Sequence, residues 1–507
     1  MKTTIYNRRL VLRKALLVIA TCYIIFLFTG CSPGDTRDKE AVFVFENVTV
    51  IDAVDGLRSG QSVVVRGDRI VEVGLAGEVK EPSGSTIVDC NGKYMIPGLW
   101  DAHVHLTFNE ALIPVMYPLF IVKGITYVRD TGGHLDLLLP LREDAGEASL
   151  SKGLAPRVFI AGPLIDGLPT IYDGSTPSFP DLSVTAVSVE QAGFIADSFI
   201  NKGVDQIKLY EMLKPDAYYK ILSIANSKGY KVSAHVPLSM DVIEASNAGL
   251  GSMEHMRNLE LSCSSDWETL LKTRQQMLAE GSGKSGGVLR GEIYSAQRMH
   301  AFQTQDEERR RIVLKCLADN KTWQVPTLTL VTSAEYRMFS REDYRETFRY
   351  LPEPTRSEWE KSAISRADQP PSETGLAFAK WGYDMVPRLA EAGIGIMAGT
   401  DAPISLLTPG FSLHEELALL VRAGLTPMQA IESATLRPAQ FFGIEDQQGS
   451  IGKGMMADLV ILDANPLEEI TNTQLISTVM RNGHFHSRDD LDEILAQLEK
   501  HGKLHTE

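Results

Sequence analysis

The sequence predicts an α/β protein: a (β/α)8 barrel carrying a small β-sandwich built from both chain ends. Two observations carry this. Between residues 96 and 448, eight apolar β-like runs alternate with helical stretches, which implies a parallel sheet with crossover helices. Outside that span, short alternating strands stand near both termini, and neither set is large enough to bury a core alone. The 507 residues are 44% hydrophobic and 23% charged, ordinary for a globular protein with a large core.

Residues 1–30 are expected to be a targeting segment. Lys2, Arg8, Arg9, Arg13 and Lys14 precede an uncharged apolar run over residues 15–29. A run of that length is short of the ~20 residues a spanning helix needs and suits a signal-peptide core. Residues 27–31 (LFTGC) resemble a bacterial lipobox, with Phe28 where Leu is usual. That makes residues 1–30 a lipoprotein signal peptide and Cys31 the lipidation site. An uncleaved N-terminal anchor is the alternative. Either way the folded part is expected in the bacterial cell envelope, outside the cytoplasm and tethered to a membrane; on the lipoprotein reading the attachment is through the N-terminal lipid alone. Residues 31–41 are polar and read as a tether. Removing the five positive charges from the net −15 leaves −20, which argues against a nucleic-acid partner and a polybasic membrane surface.

The sandwich takes residues 42–95 and 449–487. Runs 62–65 and 69–73 flank Arg66-Gly67-Asp68, a hairpin signal, and residues 457–462 (ADLVIL) and 477–482 supply the returning strands. The eight barrel runs end near His105, Asp130, Pro163, Tyr210, Val236, His255, Val331 and Thr400. Polar insertions near 262–322 and 332–380 follow runs six and seven and are candidates for lids or subunit contacts in a homo-oligomer. Two capping-box spacings, Ser412 with Glu415 and Thr426 with Gln429, mark helix starts late in the barrel. Residues 488–507 form a C-terminal helix or tail. Cys90, Cys263 and Cys316 are widely spaced, so buried thiols are expected rather than a disulfide framework or a cysteine zinc site.

The reactive residue types fall at strand ends. In a strand, residues i and i+2 share a face, so His103 and His105 can grip one metal. His235, His255 and Asp401 each end or follow a further run, on the face where such barrels carry their sites. His484-Phe485-His486 has the same spacing but no such context and reads as surface. In residues 204–210 (VDQIKLY), Gln206, Lys208 and Tyr210 face the lumen while Ile207 and Leu209 face helices. A lysine beside two dications is driven to the neutral amine, which can take up carbon dioxide as a metal-bridging carbamate. A plain lysine holding a substrate carboxylate is the alternative. Gly281 to Ser285 looks like a phosphate loop, but Leu278 stands where the first glycine is required.

The chain resembles the amidohydrolase superfamily of metal-dependent TIM-barrel hydrolases, in the branch near imidazolonepropionase and the prolidase-like peptidases. The matching pieces are residues 97–105 (PGLWDAHVH), 128–133 (VRDTGG), 207–210 (IKLY), 234–237 (AHVP), 254–255 (EH), 399–401 (GTD), 413–426 and 452–463. Imidazolonepropionase uses one metal and lacks the lysine, so Lys208 favours the two-metal group. The resemblance implies that His103, His105 and Asp401 hold a buried ion, that His235 and His255 hold a more exposed one, and that carboxylated Lys208 bridges them. Two divalent ions, zinc foremost, would generate a bridging hydroxide. Asp401 would be the catalytic proton carrier. Candidate substrate contacts are Tyr210, through an oxyanion, His134, above run two, and Arg129, through a carboxylate or as a structural partner. The Gly-Gly-His segment of many prolidase-like members is replaced by residues 162–167 (GPLIDG). The implied activity is hydrolysis of amide C–N bonds in small peptides or N-acyl amino acids, not endoproteolysis. A lactone, carbamate or organophosphate ester hydrolase is the rival enzyme, and a ligand-binding envelope lipoprotein without catalysis is the rival of another class.

Overall fold

The computed structural model describes residues 41–145, 153–281 and 283–504. The signal segment and Cys31 lie outside the described residues. Five N-terminal strands, β1 (Val42–Asp52), β2 (Gly56–Arg66), β3 (Arg69–Leu75), β4 (Thr86–Asp89) and β5 (Tyr94–Pro97), begin the appended sheet. The barrel follows with β6 (Leu99–Val104), β7 (Ile125–Asp130), β8 (Arg157–Ile160) and β9 (Leu164–Asp166). An exposed hairpin of β10 (Asp173–Thr176) and β11 (Phe179–Asp181) leads to β12 (Ser183–Thr185). Then come β13 (Gln206–Leu209), β14 (Lys231–Ala234), β15 (Ser252–Glu254) and β16 (Trp323–Val325). The chain returns to the appended sheet as β17 (Leu459–Leu462), β18 (Ile476–Arg481) and β19 (His484–Ser487).

Both ends of the chain meet in one eight-stranded sheet, in which β5 pairs with β1 on one side and β17 on the other. The β5–β17 register is antiparallel, Pro97 against Leu459 and Tyr94 against Leu462. Alternation along the strands buries Phe45, Val63, Val65, Met95, Leu459 and Ile461 in a core separate from that of the barrel. β19 is an edge strand, so His484 is exposed as its sequence context suggested, whereas Phe485 and His486 are half-buried.

The barrel strands pair in parallel. Its third strand is split. β8 pairs with β7 and β9 pairs with β13, because Gly162 between them takes φ 76 and turns the backbone. The seventh strand ends at Val325, six residues before the expected Val331. Pro326 has no N–H to donate and Thr327 adopts φ 46, so the apolar LTLV becomes a helical turn. The eighth run closes the barrel by isolated bridges, Gln324 to Ile396 and Val104 to Ala402.

The helices that matter for the site are α1 (Leu135–Asp144), α2 (Trp267–Glu280), α3 (Gly286–Gln303), α4 (Glu307–Asp319) and α5 (Phe411–Arg422). The first insertion is therefore three helices, α2 to α4. The Ser412–Glu415 capping box does not form. α5 starts from Gly410 at φ 83 with no side-chain cap, and Ser412 instead donates to Thr408 O at 2.9 Å while Glu415 binds Arg341. The Thr426–Gln429 box does form. Cys90 and Cys263 are buried free thiols and Cys316 is half-buried.

Candidate metal centre

Each histidine arrives on the C-terminal end of a barrel strand. β6 is buried along its length and its alternation turns His103 and His105 to the same side. His235 follows β14, His255 follows β15 and Asp401 follows the eighth run. His255 (φ 57) and Asp401 (φ 73) occupy the left-handed region, a strained state that persists where surrounding structure imposes it.

The Nε2 atoms of His103 and His105 both lie 3.1 Å from Asp401 Oδ1. Their Nδ1 atoms are already engaged, His103 with Glu254 at 2.6 Å and His105 with the Gly132 carbonyl at 2.8 Å. His235 Nδ1 meets Glu211 at 2.7 Å, and His255 Nδ1 meets Thr327 Oγ1 at 2.6 Å. Carboxylates and carbonyls only accept, and the Thr327 hydroxyl spends its proton on Pro326 O at 2.8 Å. All four protons therefore sit on Nδ1, and all four Nε2 atoms present lone pairs. In the buried first set, two such lone pairs face a carboxylate oxygen that is itself an acceptor. That is repulsive without a cation between them and fits a divalent ion well. His103, His105 and Asp401 place ligand atoms within 4.8 Å of one another. The row continues through ring contacts, His103 to His255 at 4.6 Å and His255 to His235 at 4.8 Å between centroids.

Lys208 stands in the same space, 1% exposed, and its Nζ has no hydrogen-bond partner. Burial pushes its pKa down to about 8, with Arg129 acting in the same direction against the pull of Glu254. Burial, helped by Lys208 and Arg257, holds His235 well below the usual imidazole value, and burial does the same to His255. Neutral imidazoles are the form that ligates metals.

Arg129 does not reach the substrate space. It is fully buried, donates to both Glu254 oxygens at 2.8 Å and to Ala102 O at 2.5 Å, and lies over the Phe441 ring. It fixes Glu254, and Glu254 fixes His103. His134 also falls outside the cavity. It is the N-cap residue of α1, and its backbone N–H donates to Thr107 Oγ1.

A cavity of about 180 Å³ opens above the histidines, lined by His105, Lys208, Tyr210, His235, His255 and Asp401 together with Phe108, Leu164, Tyr172, Leu182, Arg257, Arg290, Leu330, Ile404 and Ser405. Tyr210 lies as expected, its ring 4.3 Å from that of His235. Burial, with Tyr172 beside it, keeps its phenol protonated. A larger groove of about 550 Å³, among Pro114, Pro118, Pro352 and Leu498, shares no lining residue with this cavity and carries no titratable side chain. Sequence reasoning missed Tyr172, Arg257 and Arg290, and it gave no role to Glu211 or Glu254. Glu254 alone left a signal, since it directly precedes His255.

A histidine-and-carboxylate centre at the mouth of a (β/α)8 barrel, with a second sheet formed from the chain ends, defines a metal-site barrel of the hydrolase type. The sequence profile described as "Amidohydrolase family" matches residues 94–485, and the chain belongs to that family of hydrolases. Among solved structures, a Xaa-Pro dipeptidase with bound methionine superposes with a TM-score of 0.63 at 20% identity, over 88% of this chain and 100% of that one. A bottromycin amidohydrolase gives a TM-score of 0.66 at 21% identity, over 92% of each chain. At these identities the likeness concerns the fold. Imidazolonepropionase of Deinococcus deserti is 35% identical over 91 residues, which are 17% of this chain and 21% of that protein. The chain thus matches this curated relative over only about a fifth of its length.

Proposed function

We propose that this protein hydrolyses amide C–N bonds of small peptides or N-acyl amino acids at a centre for two divalent ions. The observation that carries the reading is the set of four Nδ1-anchored histidines, with Asp401 and an unpartnered buried Lys208, at one cavity floor. His103, His105 and Asp401 would hold one ion, His235 and His255 the other. Lys208, as its carbamate, would join them. The neutral amine attacks carbon dioxide, an N–C bond forms, and a proton is released. Bound ions supply Lewis-acid activation of water and of the scissile carbonyl. Asp401 accepts the proton of the attacking water and delivers it to the leaving amine. The Tyr210 hydroxyl donates to the developing oxyanion. Glu254, Gly132, Glu211 and Thr327 hold the ring orientations that these steps need.

A cavity of about 180 Å³ suits a small substrate, below the roughly 300 Å³ at which drug-sized sites begin. The run 15–29 and the residues around Cys31 support a lipid-anchored enzyme outside the cytoplasm, as part of the same proposal. The test is metal stoichiometry of a soluble form begun after Cys31. Two ions per chain are expected, with fewer in Lys208→Ala, and turnover of N-acyl amino acids that chelation abolishes and zinc restores. One ion, unchanged by the substitution, would overturn the bridging role.

A further inference from the structure

The guanidinium groups of Arg257 and Arg290 line the cavity, and the carboxylate they share behind its wall, that of Glu211, is already engaged. Glu211 is buried, its Oε1 is 2.7 Å from His235 Nδ1, and its Oε2 accepts from the Tyr294 hydroxyl at 2.8 Å. Arg257 and Arg290 stand 3.8 Å and 3.6 Å from Glu211 Oε1, close enough for attraction but beyond hydrogen-bond length. Arg290 has one long hydrogen bond, 3.4 Å to the Tyr210 hydroxyl, and Arg257 Nε is buried with no partner. Their side chains are 17% and 16% exposed, and the remaining donors are open to the cavity. Two guanidinium groups thus share one engaged carboxylate, with capacity for fork-shaped pairing to spare.

Resting on the hydrolase reading above, we infer that Arg257 and Arg290 together bind a free carboxylate of the substrate, borne by the amino acid on the amine side of the scissile bond. The site lies directly above the chemistry. β13 places Lys208 in the centre and Tyr210 two residues further up, and Arg290 meets the Tyr210 hydroxyl. An α-carboxylate is separated from the scissile nitrogen by one carbon, so a bound carbonyl at Tyr210 leaves it within reach of the pair. Substrates with that group amidated leave the two guanidinium groups with only Glu211 to share, and bind more weakly.

The two arginines come from different parts of the chain. Arg257 follows barrel strand β15, whereas Arg290 belongs to insertion helix α3. That helix is seated against the hairpin region by two glycines. A Cβ at Gly286 would stand 2.3 Å from Pro169 O, and one at Gly287 would stand 2.7 Å from the Phe179 ring. The Arg290 guanidinium in turn lies over Phe179 at 5.5 Å. The insertion therefore supplies specificity to a centre that the barrel supplies with chemistry.

The test is calorimetric binding to the intact soluble protein of N-acetyl-glycine, N-acetyl-leucine and N-acetyl-phenylalanine, each against its carboxamide. A charge-assisted pair predicts that at least one acid binds roughly ten- to hundredfold tighter than its amide. Arg290→Gln and Arg257→Gln should each bring that ratio close to one, and Arg290→Lys should keep part of it, with thermal unfolding checking that each variant is folded. Equal binding of acids and amides by the native protein overturns the inference, as does a preference that survives in folded Arg290→Gln and Arg257→Gln. Turnover of the same compounds by zinc-loaded protein separates the two readings. Turnover without preference removes only the carboxylate pair, and preference without turnover removes only amide hydrolysis.

Discussion

Replacing Arg129 by Met tests whether this residue serves the protein or the substrate. Arg129 and Glu254 are both fully buried and share two contacts of 2.8 Å. Removing the guanidinium leaves a carboxylate in the lumen with Ser252 Oγ at 2.9 Å and His103 Nδ1 at 2.6 Å, but without its principal counter-charge. Breaking one side of a buried pair costs about 3–5 kcal/mol. Replacing both members, Arg129→Met with Glu254→Leu, should restore most of that loss, because no unpaired charge remains. The same double variant should still bind zinc about 10–100-fold more weakly than the native protein, since His103 Nδ1 has lost its acceptor. Urea unfolding followed by tryptophan fluorescence reads the stability, and competition with a chelating dye reads the metal. The reasoning fails if the single variant loses under about 1 kcal/mol, well short of the buried-pair cost, and instead shows a raised KM confined to carboxylate-bearing substrates.

Two other changes follow from the packing. Gly399→Ala would put a Cβ 2.7 Å from His103 Cβ and 2.8 Å from His103 N, so a drop in metal content is expected with the appended sheet intact by circular dichroism. His414 is buried away from the centre, with its ring nitrogens against Thr473 and Lys123 O, and burial first, then Lys123, depresses its pKa to about 3. The folded state thus stays neutral while the unfolded chain takes up a proton below the ordinary 6.5, so its stabilising contribution is full above 6.5 and is lost as pH falls towards 3. At pH 5 the loss is about 2 kcal/mol, and His414→Gln should flatten the pH dependence of unfolding between 7.5 and 5 by that amount. An unchanged slope would assign the acid sensitivity to other groups.

The candidate ligand residues were legible because each rule used was local. His103 and His105 needed only the two-residue repeat of a strand, and Asp401 and His255 needed only their place after an apolar run. For Arg129 the sequence left a substrate carboxylate and a structural partner both open, because alternation carries no depth, and the structure gives it Glu254 as partner. The LTLV run was misjudged because strand and helical turn look alike over four apolar residues, and the decisive feature was the backbone state of Thr327. Arg290 was hidden for a different reason. Helix α3 reaches the cavity across a long insertion whose spacing to the barrel strands follows no repeat, so only tertiary packing brings Arg290 to Tyr210. Glu211 sits beside Tyr210 in sequence, yet its partner Tyr294 lies on that same helix.

The junction of β5 with β17 also sets an order of events during synthesis. β5 ends at Pro97 and its neighbour begins at Leu459, about 360 residues later. At about 5–20 residues per second, the ribosome takes roughly 20–70 s to deliver the missing strand. Through that interval Met95 and Ile96, both fully buried in the finished protein, lack their final cover, and one edge of β5 has no ladder partner. A nascent chain of this kind needs shielding, for instance by a chaperone, until its last tenth has begun to emerge, and truncations within β17 should aggregate rather than yield a smaller folded barrel.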